Sequence, residues 1–358
     1  MLGARAPFLF DAPDGPVWTR VKHVKASQLG MWNDKPIPYV PNADEKVVGV
    51  FGASVAAWLV LQAGDRLAAG LANSAPGKRI VLLNFGLPAG KQPQQLLILS
   101  YLVSLGQHFD LVINIDGFGE LVFGSNNVDE NVDFTMPSIH MTKPLWHSAD
   151  TERHRIQDFS LLMAHMEAND RSATIARWRS YNRSAAIEMI LGALQTHFDA
   201  KAQTALLEIV RTPVNAANEV YVMPRSREAS GTDALPHIAE HWRRSSSAMA
   251  LISNGVGAGY LHVLGPSPFA GSRHFSREEL AIVQPDNPMS RKAAVGFPFL
   301  LARPPDLVGE RAAYVTATSL FDHTPEQVYA DAVHQNIFGA GILGDFIARE
   351  ANSRGLLR

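Results

Sequence analysis

Val47-Val48-Gly49-Val50-Phe51-Gly52-Ala53-Ser54 is an apolar run that ends in a glycine, a small residue and a hydroxyl residue. Its β-branched and aromatic residues predict a buried strand over Val47–Phe51, and the helical period over 54–73 predicts a helix directly after it. This turn would place Ser54 at the carboxyl end of a strand, the edge at which open α/β sheets bind their ligands.

Four further apolar runs continue this pattern along the chain. They are Ile80–Asn84, Leu111–Ile115, Gly259–Leu264 and Ala312–Thr318. Their hydrophobicity is continuous rather than alternating, and helical periods lie between them, as over 92–106, which indicates parallel strands buried on both faces. We therefore predict a three-layer α/β/α sandwich around a five-stranded parallel sheet, with late helices from Pro236 to about Ile252 and over Asn336–Glu350.

Composition divides the chain into an arm, a domain and an insertion. Residues 1–45 are rich in proline and aromatic residues without a sustained period, which predicts an extended N-terminal arm anchored by Trp18 and Trp32. Residues 46–358 then form the α/β/α domain. Within it, 151–211 contains few Gly or Pro and many Ala, Leu, Met, Arg and Gln, so we expect an inserted helical subdomain at about 140–245.

Charge and cysteine content exclude several classes of function. The 358 residues carry a formal net charge of −2 with no run of more than two Lys or Arg, which disfavours nucleic acid and anionic membranes as partners. Without any cysteine, the chain has no Cys nucleophile and no thiolate metal site.

Segments that would target or anchor the chain are also not predicted. No segment approaches about 20 uninterrupted apolar residues, so we predict no transmembrane segment. The N-terminus as written lacks an export signal. We therefore expect a cytoplasmic protein if Met1 is the native start, and an extracytoplasmic one if a signal or anchor was removed.

An aspartate and a histidine near the other terminus are the partners that a serine nucleophile needs. Asp331 lies three residues before His334, so its carboxylate can accept from Nδ1 while Nε2 faces a serine. The loops after the first three predicted strands should meet at one edge of the sheet, and they hold Ser54, Gly86–Gly90 and Gly117–Glu120. Taken separately, Ser54 also suits a helix N-cap, and the Asp331/His334 pair a polar turn.

Four short blocks occur in the order typical of one hydrolase family. They are Gly52-Ala53-Ser54, Gly90, Gly117-Phe118-Gly119-Glu120 and Asp331–His334, and from about residue 46 onward the chain resembles a divergent SGNH (GDSL-like) hydrolase. Lys91–Gln95 and Phe109–Phe118 are similar to one bacterial branch of that family.

This resemblance implies a fold, a reaction and a role for each block. It implies an SGNH or flavodoxin-like sandwich with Ser54 as nucleophile, His334 as base and Asp331 as its partner. The backbone amides of Ser54 and Gly90 would be two oxyanion donors. The implied reaction is hydrolysis or transfer of an acyl group, often acetyl on a carbohydrate, through an acyl-serine intermediate and without a metal or cofactor.

Two positions depart from the family pattern. Gly119 stands where the family has the Asn that supplies the third oxyanion donor, and Ala53 stands where it usually has Asp. Losing one such donor costs about 10²–10³ in rate. Either Asn126, Asn127 or a rearranged backbone amide replaces it, or the protein is a weak or inactive SGNH-like protein that binds a ligand or partner in the old cleft.

A zinc peptidase is the alternative from another class. His237-Ile238-Ala239-Glu240-His241 places two histidines on one helix face with a glutamate between them, as in peptidases of the His-x-x-Glu-His type. That site also needs a third ligand, for which Glu278 or Glu279 could be proposed. The simpler interpretation is a solvated face of an amphipathic helix with Trp242 turned inward.

Two other features are predicted to be structural. Gly339-x-Gly341-x-x-Gly344 matches a dinucleotide-binding pattern, but it follows the Asp331/His334 pair rather than a strand, so we expect packing glycines in the last helix. His262 lies within an apolar strand and is expected to be a structural histidine.

Overall fold

A computed structural model of the protein describes residues 31–142, 154–211, 219–220 and 223–357. The chain forms two compact units, one made of the residues up to Met141 together with those from Ser226 onward, the other of Thr142–Arg225. Trp18 and most of the predicted N-terminal arm lie outside the described residues.

The elements alternate between strand and helix before and after the second unit. Before it come β1 (Glu45–Gly52), α1 (Ser54–Ala72), β2 (Arg79–Gly86), α2 (Gln94–Ser104), β3 (Leu111–Asp116), α3 (Phe118–Asp129) and, at the boundary, the short α4 (Ile139–Thr142). The second unit holds β4 (His154–Arg155), α5 (Ile156–Tyr181), α6 (Ala185–Arg211) and β5 (Glu219–Val220). After it come α7 (Leu235–Gly255), β6 (Gly259–Leu264), α8 (Arg277–Val283), α9 (Pro288–Leu301), β7 (Ala312–Thr316) and α10 (Ile337–Ser353).

The main sheet has the strand order β2-β1-β3-β6-β7, and all its pairs are parallel. This is the strand order of flavodoxin-like sheets. After β2 is added on one side of β1, the later strands are added on the other side, and this reversal of order leaves a crevice at the carboxyl ends of β1 and β3. All five predicted strands are present, and the predicted α/β/α fold is confirmed. The last strand ends at Thr316, two residues before the predicted Thr318.

Helices cover both faces of the sheet because successive strand side chains point to opposite sides. On one face, Val48 and Val50 of β1 pack in a cluster with residues of α1 and α10. On the other face, Phe51, Phe85 and Phe109 form a ring cluster with centroids 5.0 to 5.9 Å apart, next to residues of α2 and α7. The sheet is thus buried on both sides, as the continuous apolar runs predict.

The described part of the arm, residues 31–44, contains neither helix nor strand. Trp32 is buried there, and its ring meets that of Trp58 edge-to-face with centroids 5.4 Å apart. In the second unit α5 packs against α6, and β4 pairs with β5 in antiparallel orientation. The helix α7, which the predicted insertion at about 140–245 included in part, packs on β6 in the first unit. Within the described ranges, no helix is long and apolar enough to cross a bilayer.

Candidate active site

The turn from β1 into α1 depends on the absence of a side chain at Gly52. This glycine has φ +139°, and a Cβ there would overlap the carbonyl oxygen of Ile115 on the neighbouring strand. The chain can therefore leave the sheet in a single step and begin α1 at Ser54. Ala53 is the N-cap, so the Ser54 hydroxyl is not the capping group that the simpler interpretation assumed.

Ser54, His334 and Asp331 form one hydrogen-bonded chain. His334 Nε2 lies 2.7 Å from Ser54 Oγ, and His334 Nδ1 lies 2.7 Å from Asp331 Oδ2. A carboxylate beside Nδ1 favours the tautomer with its proton there, because Asp331 can only accept when it is ionised. In that tautomer Nε2 is an acceptor, and the serine hydroxyl donates to it.

The carboxylate of Asp331 is itself held by the backbone. Its Oδ1 accepts hydrogen bonds of 2.7 Å from the amides of both Val333 and His334. Burial alone raises the pKa of the Asp331 carboxyl, but the His334 ring and these two amides outweigh burial and hold that pKa below its ordinary value. Asp331 is therefore an anion at neutral pH with a fixed orientation.

A buried ion pair fixes the irregular loop that carries Asp331 and His334. Arg273 and Glu279 are paired at 2.7 Å with both side chains almost fully buried. The Arg273 guanidinium also donates to three loop carbonyls, and Glu279 Oε1 accepts from the amide of Val328. The three carbonyls belong to Phe321, Thr324 and Glu326. This loop contains no helix or strand from residue 317 to 336; the ion pair holds its first part, and an antiparallel bridge between Tyr329 and Gln335 closes the turn that carries Asp331 and His334.

Ser54 and His334 open into a cavity of about 170 Å³ at the carboxyl ends of β1, β3 and β6. This is the edge of the sheet at which the sequence predicts the site. The walls are mostly apolar, and the lining residues are Ala53, Ser54, Val55, Ile115, Asp116, Gly117, Phe118, Gly119, Phe123, His140, Gly265, Pro266, Met289, Val333 and His334.

The Gly90 amide, predicted as an oxyanion donor, has a hydrogen-bond partner within its own loop. That amide donates to the carbonyl of Leu87 at 2.7 Å and closes a tight turn, and Gly90 is not among the residues that line the cavity. Its carbonyl oxygen instead faces Gly119, where an added Cβ would lie only 2.8 Å away. The loop after β2 therefore packs behind the start of α3 rather than facing Ser54.

Neither asparagine suggested as a replacement donor is directed at the nucleophile. Asn127 is buried and donates to the carbonyls of Asp133, Met136 and Pro137. Asn126 Oδ1 accepts from the ammonium of Lys292 at 2.5 Å. At Gly119, where the family has its Asn, only backbone atoms can donate, because glycine has no side chain. Gly119 lies in the first turn of α3 and lines the cavity.

The first turns of two helices therefore meet at the cavity. Ser54 and Val55 begin α1, while Phe118 and Gly119 begin α3. Amides in the first turn of a helix have no carbonyl partner within that helix, and the helix dipole gives this end a partial positive charge. Two such ends beside one serine form an environment that favours an anion.

A fully buried polar network behind the site was not predicted from the sequence. Asp116 Oδ1 accepts from His262 Nε2 and from the Trp242 indole at 2.7 Å each, and His262 Nδ1 lies 2.6 Å from Ser246 Oγ. The expectation that His262 is structural is consistent with this arrangement. Its partners, Ser246 and Asp116, lie 16 and 146 residues away in sequence, so no local pattern predicts the network. The one sequence feature that could have indicated it is the polar Asp116 at the end of an apolar strand.

Glu120 ties the start of α3 to the loop after β2. It is buried, its Oε2 accepts from the Gly117 amide at 2.7 Å, and its Oε1 accepts from the Gln92 amide at 3.1 Å. Burial, with a further contribution from the charge of Asp116, raises the pKa of Glu120 to about 8, although both amides oppose this rise.

The residues of the zinc-peptidase alternative do not assemble. Glu240, the proposed base, is bonded to Arg243 and Arg244, and these hydrogen bonds lower its pKa to about 2. His237 is largely exposed with Glu228 at 3.6 Å, and His241 stacks edge-on against Phe134. Of the proposed third ligands, Glu279 is paired with Arg273 and Glu278 is exposed on α8. No three His, Asp or Glu side chains form a metal-binding group in the part of the chain that the structure describes.

Two expectations about helices agree with the structure. Trp242 is buried on α7, whose observed range, Leu235–Gly255, contains the predicted one. The glycines Gly339, Gly341 and Gly344 all lie in α10, and a Cβ at Gly344 would touch Leu67 of α1 at 3.7 Å. Gly341 and Gly344 are packing positions against α1, whereas Gly339 packs against Val328 and Gln335 of the preceding loop, and the three do not form a nucleotide loop.

Comparisons with known proteins add little to this geometry. No family model matches the chain, and no curated protein matches it. Among solved structures the chain is similar to LAE5, an α/β-hydrolase enzyme from the metagenome of Lake Arreo, Spain, with 13% sequence identity and a TM-score of 0.35. The alignment covers 90% of this chain and 99% of that one. A likeness of this degree assigns neither a family nor an activity to the protein.

Proposed function

We propose that the protein is a serine hydrolase or acyltransferase of SGNH type that acts on acyl esters through an acyl-serine intermediate. The observation that carries the proposal is the continuous chain from Ser54 Oγ through His334 to Asp331, with both links at 2.7 Å and the serine facing a cavity. Each member has the geometry that its chemical role requires.

The reaction would proceed in two acyl-transfer steps. His334 Nε2 takes the hydroxyl proton as Ser54 Oγ attacks the ester carbonyl, and Asp331 stabilises the imidazolium that forms. When the tetrahedral intermediate collapses, the C–O bond to the alcohol breaks and Nε2–H protonates the departing alkoxide. A water or a second alcohol then attacks the acyl-serine with His334 again as base, which releases the acyl product and restores the serine.

The first-turn amides of α1 and α3 are our candidates for the oxyanion donors. Preorganised N–H groups at such a position typically lower the barrier by about 3–4 kcal/mol each, equivalent to 10²–10³ in rate. In this proposal the backbone amide of Gly119 takes the place of the family's Asn side chain, because Gly119 lies in the first turn of α3, where amides have no carbonyl partner within the helix. The Gly90 amide is left out because it bonds to Leu87.

A catalytically inactive SGNH-like binding protein is the second candidate. It is favoured by the same two glycines, since Gly119 has no side-chain donor and the Gly90 amide is already bonded. Such a protein would retain the cleft and the Ser54–His334 contact without turnover.

Hydrolysis of p-nitrophenyl esters tests the first candidate against the second. We expect wild-type turnover that Ser54→Ala and His334→Ala each reduce by about 10³ or more, with melting temperatures close to that of the wild type. Ser104→Ala and His323→Ala are matched controls at exposed positions and should leave the rate unchanged. A folded wild-type protein without turnover on any ester, or full activity in Ser54→Ala, would overturn the proposal.

A further inference from the structure

Among the described residues, those that line the cavity beside Ser54 determine the size and polarity of the group that the proposed site can bind. Its apolar walls come from Val55 on α1, Ile115 on β3, Phe118 and Phe123 on α3, and Met289 on α9. These side chains come from three helices and a strand, so several elements of the fold together define the apolar walls.

Apart from Ser54 and His334, the ionisable side chains that line the cavity are those of Asp116 and His140. Asp116 lines it, but the Asp116 side chain is fully buried and bonded to His262, Trp242 and Asn114. The His140 ring is stacked on Phe123 with centroids 5.7 Å apart. Sugar hydroxyls buried against these walls would lose hydrogen bonds to water without replacement, which is costly.

The volume fits a hydrocarbon group larger than acetyl. The cavity measures about 170 Å³, and an apolar protein cavity of about 150 Å³ takes up benzene, a six-carbon molecule. An acetyl group would leave most of this space unfilled.

We infer that the acyl group of the substrate is an unbranched or aromatic hydrocarbon of about six carbons, and that the acetyl esters typical of the resembled family are poor substrates. This inference rests on the proposed acyl-serine chemistry. We assign the acyl chain, rather than the alcohol, to the cavity, where the apolar wall formed by Phe118 and Phe123 of α3 would contact it.

The dependence of kcat/KM on the length of the acyl chain in p-nitrophenyl esters tests the inference directly. Each additional buried methylene is expected to raise kcat/KM about fourfold until the cavity is filled. We expect hexanoate, which has four more methylenes, to exceed acetate by about 10²-fold, and dodecanoate to fall below hexanoate. A kcat/KM for acetate equal to or higher than that for hexanoate would overturn the inference and leave the proposed function intact. The same conclusion would follow if, in matched alkyl esters, kcat/KM depended on the length of the alcohol chain instead of the acyl chain.

Two substitutions at one position test the wall assignment. Phe123→Ala enlarges the cavity and should move the optimum to longer chains, whereas Phe123→Trp should move it to shorter ones. Phe299→Ala removes an equally large ring from α9 that does not line the cavity, and it should leave the profile unchanged. An unchanged profile in both folded Phe123 variants would contradict the assignment.

A binding experiment on the wild type does not depend on variant folding or on turnover. Alkylboronic acids form a reversible adduct with a nucleophilic serine, so hexylboronic acid should protect Ser54 from a fluorophosphonate at least about 10²-fold better than methylboronic acid. Equal protection by the two boronic acids would overturn the inference alone. An unlabelled, folded protein with no esterase activity would instead remove the proposed function, and the inference with it.

Discussion

His334 uses both ring nitrogens, one toward Asp331 and one toward Ser54, at 2.7 Å each. The role of Asp331 is therefore to decide which nitrogen carries the proton, and its depressed pKa keeps it ionised for that role. Residue types and spacing were enough to predict the contact between Asp331 and His334, because that contact is local. The contact of His334 with Ser54 spans 280 residues and followed only from placing both at one sheet edge.

Asp331→Asn should lower kcat strongly with little change in KM. The asparagine can still accept from the amides of Val333 and His334, but its side chain no longer fixes the His334 tautomer, and an equivalent change in a related triad costs about 10⁴ in kcat. Ester kinetics with Asp286→Asn, an exposed aspartate, provide the control. A kcat near that of the wild type in Asp331→Asn would mean that another group orients His334.

Glu120 should make the stability of the protein depend on pH. Its pKa is about 8 in the folded protein against an ordinary value of 4.5, so between these values the folded state holds a proton that the unfolded state has lost. The free energy of unfolding should then fall as pH rises through this window. Urea denaturation at several pH values between about 5 and 8 should show this fall in the wild type and a weaker one in Glu120→Gln. Parallel pH profiles for the two proteins would show that Glu120 titrates near its ordinary value.

At the scale of elements, the site is an assembly of two helix starts and one clamped loop. Glycine-dependent turns bring the helix starts together, and the Arg273–Glu279 pair holds the loop. The start of α1 was predicted from the helical period after the first apolar strand, whereas 117–120 was expected to be a loop and contains the start of α3. The clamp was not, since Arg273 reaches its loop partners across 48 to 53 residues without any local pattern.

The contact between Gly119 and Gly90 should make any side chain at Gly119 unfavourable. A Cβ there would lie 2.8 Å from the Gly90 carbonyl oxygen, and a backbone atom cannot move aside easily. We expect Gly119→Ala and Gly119→Asn both to destabilise the protein by about 1–3 kcal/mol in urea denaturation, with no gain in kcat. Higher turnover in Gly119→Asn but not in Gly119→Ala would show instead that the loop yields and that the missing Asn limits the rate.

At the scale of the whole molecule, the parallel sheet was predictable because each strand is buried on both faces and reads as a continuous apolar run. The sheet in turn determines which loops can meet, which is why Ser54 and Gly117–Gly119 line one cavity. The directions of single amides within those loops were not predictable. The Gly90 amide was proposed as an oxyanion donor and Asn126 or Asn127 as one possible replacement for the missing Asn, and each of these groups bonds elsewhere.

Labelling with a fluorophosphonate followed by mass mapping tests the central claim, that Ser54 is an activated nucleophile, most directly. We predict a single adduct on the peptide that contains Ser54, absent in Ser54→Ala, slowed by about 10² or more in His334→Ala, and unchanged in Ser104→Ala. A folded wild-type protein that remains unlabelled, or an adduct on another serine, would contradict the account.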